Sequence, residues 1–114
     1  MSSYPLLLVF ALYSLNPITV SVYPAFAMAP ATFRITVLVP RHLENRKLCL
    51  SYDGGEMRRS CHDLQGFNSR RSWTVYWGVR TAGEYSASAE LTRMENGKER
   101  IYRTAQAFRV IGME

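Results

Sequence analysis

The feature that most constrains this chain is an alternation of apolar and polar residues with period two, which runs through nearly every segment after Pro30. Successive side chains of a strand point to opposite faces, so this period marks strands with one face buried and one wet. Phe33, Ile35, Val37 and Val39 share one face of a first strand, which Pro40 ends. Leu48, Leu50 and Tyr52 share a face of a second, leaving Lys47, Cys49 and Ser51 on the other. EMRRSCHDL is a weaker third strand closing at Leu64, and Gln65-Gly66-Phe67-Asn68-Ser69 is a loop by composition. In RRSWTVYWGVR, Trp73, Val75, Trp77 and Val79 lie on one side and Thr74, Tyr76 and Arg80 on the other, so Trp73 and Trp77 are expected to anchor the core. Tyr85, Ala87, Ala89 and Leu91 face inward from the next strand, and the small alanines suit interdigitation with large indoles. No stretch after Pro30 carries a helical stripe.

Turn chemistry divides the same segments. Thr81-Ala82-Gly83-Glu84 makes a tight turn, and Asn96-Gly97 is the strongest hairpin signal, because it supplies the positive φ values of a type I′ turn. The last strand is predicted over residues 101–111, with Phe108 and Val110 on the phase of Tyr102; Gln106 shares that phase, which predicts a bulge or partial burial there. Short strands with turns at this spacing, and no helix, predict an all-β fold: a single antiparallel immunoglobulin-like β-sandwich of six to seven strands over residues 29–114.

Ala82-Gly83-Glu84-Tyr85, the alternating Ala87-Ser88-Ala89-Glu90-Leu91, Asn96-Gly97 and the closing Phe108-Arg109-Val110 resemble the last strands of bacterial immunoglobulin-like and fibronectin type III-like domains. The resemblance implies that Tyr85 takes the tyrosine-corner position, whose hydroxyl ties a loop to the sandwich. It implies a fold and no activity, since this architecture hosts many unrelated roles.

Cys49 and Cys61 are the only cysteines. A hairpin turning at Asp53-Gly54-Gly55-Glu56 with a three-residue loop centred on Gly55 sets position 49 opposite 61, close enough to bridge. A two-residue Gly54-Gly55 turn would instead face Cys49 with Ser60, so a disulfide and two free thiols are both open. The pair is too close in sequence to be the inter-sheet disulfide of antibody domains.

Every charged residue lies at or beyond Arg34, so the net charge of +5 belongs to the C-terminal part. Ahead of it, residues 4–15 (YPLLLVFALYSL) and the stretch ITVSVYPAFA lead to small residues at Ala25, Ala27 and Ala29. An apolar core followed by an A-x-A site is the order of a secretory signal peptide, with cleavage expected after Ala27, although Met1-Ser2-Ser3 lacks the basic n-region. Residues 1–28 are therefore expected to be a signal peptide or, alternatively, an uncleaved membrane anchor, which Pro5, Asn16, Pro17 and Pro24 count against as one helix. Either reading makes the protein secreted, periplasmic or membrane-anchored, where a disulfide can persist.

Catalytic constellations are not evident: there is no G-x-S-x-G, no H-E-x-x-H and no Gly-rich phosphate loop, and His42 with Glu44 and His62 with Asp63 sit in polar stretches. Cys49, Cys61 and His62, with Met57, could ligate copper or zinc, but residues 61 and 62 of one strand point to opposite faces. Neither a metal nor a cofactor is expected. Arginine outnumbers lysine, and a guanidinium fork suits carboxylate or phosphate. Arg58, Arg59, Arg70, Arg71, Tyr76 and Arg80 are therefore expected to form a basic face for an anionic glycan, lipid head group or envelope protein. Nucleic acid is not expected, because no basic stripe is interleaved with stacking aromatics. The expected function is a non-enzymatic binding or assembly module, the alternatives being a structural subunit that pairs through a strand edge and a small metalloprotein.

Overall fold

A computed structural model describes residues 16–66 and 70–112. The apolar run 4–15 and the loop residues Phe67, Asn68 and Ser69 lie outside the described residues. The described residues form eight strands: β1 (Thr19–Tyr23), β2 (Phe26–Met28), β3 (Ala31–Leu38), β4 (Asn45–Asp53), β5 (Met57–Asp63), β6 (Ser72–Val79), β7 (Gly83–Glu95) and β8 (Lys98–Ile111). A smaller sheet runs β1-β3-β6 and a larger one β2-β8-β7-β4-β5, packed face to face as a β-sandwich.

Alternation sorts the core as the sequence predicts. Phe33, Ile35 and Val37 from β3 meet Leu48, Leu50 and Tyr52 from β4, and Ala87, Ala89 and Leu91 from β7, all buried. Phe108 sits at the centre of an aromatic cluster, its ring centroid 4.7 Å from Phe33 and 5.2 Å from Tyr85. Trp77 is buried against Tyr52 at 5.3 Å. Trp73 is only half-buried, so one of the two expected indole anchors stands at the side of the sandwich, on the edge strand β6, where Arg70 and His62 pack against its ring.

The Asn-Gly hairpin forms with φ of 53° at Asn96 and 75° at Gly97, and β7 pairs with β8 without a register break from Gly83↔Val110 to Glu95↔Lys98. Gln106 is half-buried within that unbroken ladder, so partial burial and not a bulge is the outcome; the irregularity lies in β4, between Asn45 and Lys47.

Two expectations are corrected at the N-terminal side. Residues 18–28 belong to the sandwich: β1 pairs antiparallel with β3, and Ile18 and Val22 are buried in the core. The boundary expected between residues 28 and 29 thus falls inside the fold, and cleavage after Ala27 would cut β2. The pairing is also not wholly antiparallel. The chain crosses between sheets through Pro24 and Ala25, and β2 then runs parallel to β8, with Arg109 N–H donating to the Ala25 carbonyl at 2.9 Å and Ala29 N–H to the Ile111 carbonyl at 2.8 Å. With β1 and β2 the described residues form eight strands where six to seven are expected from the sequence.

Candidate anion-binding cleft

The site is built at the end of the β4–β5 hairpin. Asp53 pairs with Met57, leaving Gly54, Gly55 and Glu56 as a three-residue loop, and the register sets Cys49 opposite Cys61 with Cα atoms 4.0 Å apart and the disulfide formed. The loop folds onto Tyr85: a Cβ at Gly54 would lie 2.6 Å from the Glu84 carbonyl oxygen, and one at Gly55 2.9 Å from the Tyr85 hydroxyl, so both positions require glycine. The Tyr85 hydroxyl donates to the Thr81 carbonyl at 2.6 Å, the tie that the tyrosine-corner resemblance implies. Burial raises the Tyr85 hydroxyl above its ordinary pKa, followed by the nearby Glu56 charge.

Glu56 completes the corner. Its Oε2 accepts from the backbone N–H of Arg80 at 2.8 Å and of Thr81 at 2.7 Å, and these bonds hold its carboxyl below the usual carboxylate range. The Tyr52 hydroxyl lies 3.4 Å from Glu56 Oε1 and 3.4 Å from the Gly78 carbonyl. Burial and the Glu56 charge raise its pKa in turn. The 54–56 loop is thereby fastened to the start of the 80–82 turn, and Arg58 and Arg80 line one cleft at this end of the sandwich.

Between these two arginines lies a cleft of about 390 Å³, bounded also by Pro30, Thr32 and Gly78. Gly78 leaves it open, since a Cβ there would meet nothing within 4 Å. The Arg58 guanidinium lies 5.7 Å from the Trp77 ring centroid, a cation–π contact that orders the side chain while leaving its N–H donors for an anion. Neither Arg58 nor Arg80 has a carboxylate ion-pair partner among the described residues.

The six residues expected to share a basic face are dispersed. Arg58 and Arg80 meet in the cleft. Arg59 points to the opposite side of β5, as its neighbour in a strand must, and ion-pairs with Glu90 at 3.4 Å, beside Arg103, which takes the other Glu90 oxygen at 2.7 Å. Arg70 stacks on Trp73 with 4.1 Å to the ring centroid. Arg71 stands at the far end of the smaller sheet, beside Pro17, Leu38 and Pro40. Tyr76 lies on the outer face of that sheet, in register with Arg34, which is itself paired with Tyr23 across β1. Sequence reasoning missed that Tyr-Arg-Tyr row because β1 was read as leader. It also missed the buried pair Asn45–Arg93, joined at 2.8 Å from Arg93 Nε to Asn45 Oδ1, because hydrophobic alternation carries no signal for a buried polar bond.

The metal reading loses its soft ligands, because Cys49 and Cys61 are bonded to each other. His62 accepts or donates a hydrogen bond with Ser60 at 3.1 Å and stacks near Trp73 at 5.1 Å.

No protein-family model matches the sequence, and no curated protein matches it. In fold, the chain is similar to the superoxide reductase (neelaredoxin) from Ignicoccus hospitalis, with a TM-score of 0.59 and 13% identity over 82% of this chain and 79% of that one. It is similar also to the sulfur carrier protein SoxY from Chlorobium limicola f thiosulfatophilum, with a TM-score of 0.60 and 14% identity over 96% of this chain and 98% of that one. At these identities the likeness is one of fold, a small immunoglobulin-like β-sandwich, which an enzyme and a carrier protein share.

Proposed function

We propose that this protein is an exported, non-enzymatic binding module that holds an anionic partner in the Arg58–Arg80 cleft. One observation carries the reading: Arg58 of β5 and Arg80, just past the end of β6, line the same open cleft, and no carboxylate of the described residues ion-pairs with either. Glu56 is the acidic residue at hand, and its Oε2 is engaged by the N–H groups of Arg80 and Thr81. A cleft with two planar forks suits a carboxylate or phosphate held bidentately.

Export is supported by the Cys49–Cys61 disulfide, which persists in oxidising compartments. Among the described residues no helix is long and apolar enough to cross a membrane. A signal segment, if it precedes the sandwich, ends ahead of Ile18, whose side chain belongs to the core.

The test is binding of the full chain to a polyglutamate peptide, a carboxylated glycan and phosphatidylglycerol vesicles at low and high salt. At least one binds, and salt weakens it. Arg58→Gln and Arg80→Gln each weaken it by about tenfold or more, the range of a charge-assisted hydrogen bond, while Arg59→Gln leaves it unchanged. Binding to none of the three, or binding indifferent to both cleft substitutions, removes the proposal.

A further inference from the structure

We infer that the anionic partner is a protein, and that an extended acidic segment of it adds to the free edge of β6 as a further strand; this rests on the anion-binding reading of the cleft at the end of that edge. Among the described residues β6 pairs with β3 alone. Val39 N–H donates to the Arg71 carbonyl at 2.7 Å, which fixes the alternation of the antiparallel ladder: residues 73, 75, 77 and 79 turn their backbone groups to β3. Ser72, Thr74, Tyr76 and Gly78 turn theirs outward. Two contacts agree with this assignment. The Tyr52 hydroxyl reaches the Gly78 carbonyl and Glu56 takes the Arg80 N–H, both on the outward side. They close the Arg80 end of the edge and leave the N–H and C=O groups of Ser72, Thr74 and Tyr76 without partners among the described residues.

The other sheet edges are blunted and this one is not. β1 is short and lies between Pro17 and Pro24, β2 has three residues, and β5 carries Arg58-Arg59. Proline, charge and shortness are the usual protections against strand pairing. β6 has eight residues in unbroken register with β3, no proline and no charged side chain, and its Trp73 and Val75 are only half-buried. An edge of this kind is a template for strand addition, in which main-chain bonds give affinity and alternate side chains give specificity.

The chemistry beneath the edge selects the occupant. On β5 the residues opposite Tyr52, Leu50 and Leu48 are Arg58, Ser60 and His62, so the phase that is apolar on β4 is polar on β5. Arg58 and His62 reach toward β6, to Trp77 and Trp73. A strand laid beyond β6 would set its inward side chains against this row, with Arg80 at one end and Arg70 at the other. Carboxylates fit there, spaced at alternate residues. A second copy of this chain does not, because edge-to-edge pairing of β6 would bring the two Arg58 rows together without a carboxylate between them.

The experiment compares a short peptide carrying glutamate at alternate positions with versions N-methylated on one or the other set of alternate amides, with a lysine version, and with the carboxylated glycan. Binding to the full chain is followed by amide chemical shifts and hydrogen exchange. The glutamate peptide binds and slows exchange at Ser72, Thr74 and Tyr76. Methylation of the set facing β6 weakens binding by about tenfold or more, and the other set is tolerated. Thr74→Pro, which removes an outward N–H that the fold does not use, leaves circular dichroism unchanged and abolishes peptide binding. Equal binding of both methylated peptides and the glycan, lost only in Arg58→Gln or Arg80→Gln, overturns strand addition and leaves the anion-binding reading standing. Equal protection of the edge by the lysine peptide overturns the anion-binding reading, and with it the acidic partner. Salt-insensitive dimerisation abolished by Thr74→Pro overturns the proposal in favour of self-pairing.

Discussion

The two long sides of the sandwich are built from the same alternation and are closed in different ways. On one side the chain threads from β1 to β2 and so belongs to both sheets, with Ile18 and Val22 inward and Ala27 packed against the core. On the other side β5 and β6 lie at the edges of separate sheets, and the inward phase of β5 is Arg58, Ser60 and His62. Apolar inward residues draw the layers together and exclude water. Polar inward residues make the rim less apolar, with Arg58 and His62 set against Trp77 and Trp73 of the facing sheet. The difference teaches that the cleft proposed to bind a partner lies where the hydrophobic pattern lapses on one strand, while the core is built where it continues.

Breaking the sewn side should have the largest effect. Removal of residues 1–27 takes away β1 and most of β2 together with two buried aliphatic side chains, each contributing about 1.5–3 kcal/mol. The expected outcome is loss of cooperative unfolding in denaturant, and a product that still unfolds like the full chain would show that the sewing is dispensable.

On the open side the Cys49–Cys61 bridge does locally what apolar packing does opposite. With a sequence separation of 12, replacing both cysteines by alanine should cost about 2–3 kcal/mol by the chain-entropy estimate. Urea titration measures it. Because β5 carries Arg58, anion affinity should fall in the same variant, and unchanged affinity would separate the bridge from the cleft.

Tyr85→Phe removes the hydroxyl from the Thr81 carbonyl and should cost about 1–2 kcal/mol, read from the thermal midpoint. The turn that carries Arg80 loosens with it, so hydrogen exchange in residues 80–82 should quicken while the β7–β8 ladder is unaffected.

The smallest effect is the titration of Glu56. Its carboxyl is held low by the N–H groups of Arg80 and Thr81 in the folded state, so the bonds are fully present above the unfolded-state pKa and are lost as pH falls through the lowered folded value. Exchange at the amides of Arg80 and Thr81, corrected for intrinsic pH dependence, should therefore rise below the usual carboxylate range. Glu56→Gln should abolish that rise, and its persistence would assign the effect to another acid.

Much of this was legible in the residues. The alternation at 33–39, 48–52, 85–91 and 108–110 marked the inward faces, the Gly54-Gly55 hairpin offered two registers of which the structure has the one that sets Cys49 against Cys61, and Asn96-Gly97 marked the turn of the longest ribbon. Ile18, Val20 and Val22 alternate with Thr19 and Ser21 in the same manner, but beside the apolar run 4–15 they read as its continuation. The cleft was half legible. Both its arginines were singled out, yet Arg58 was grouped with Arg59, which a strand must turn the other way, and Tyr76 with Arg80, although Tyr76 belongs to a row with Arg34 and Tyr23.

The sequence by itself determined the strands after Pro30, most of their buried faces and the Asn96-Gly97 hairpin, because each depends on side-chain direction and turn geometry among residues near one another in the chain, while at Gly54-Gly55 it left two registers open and the disulfide with them. Only the tertiary structure decided that residues 18–28 join both sheets, and that Arg58 and Arg80 share a cleft beside an unpaired edge. Those facts depend on which strand ends at the rim of which sheet, and the stacking of two sheets sums contacts over the whole domain that no local pattern records.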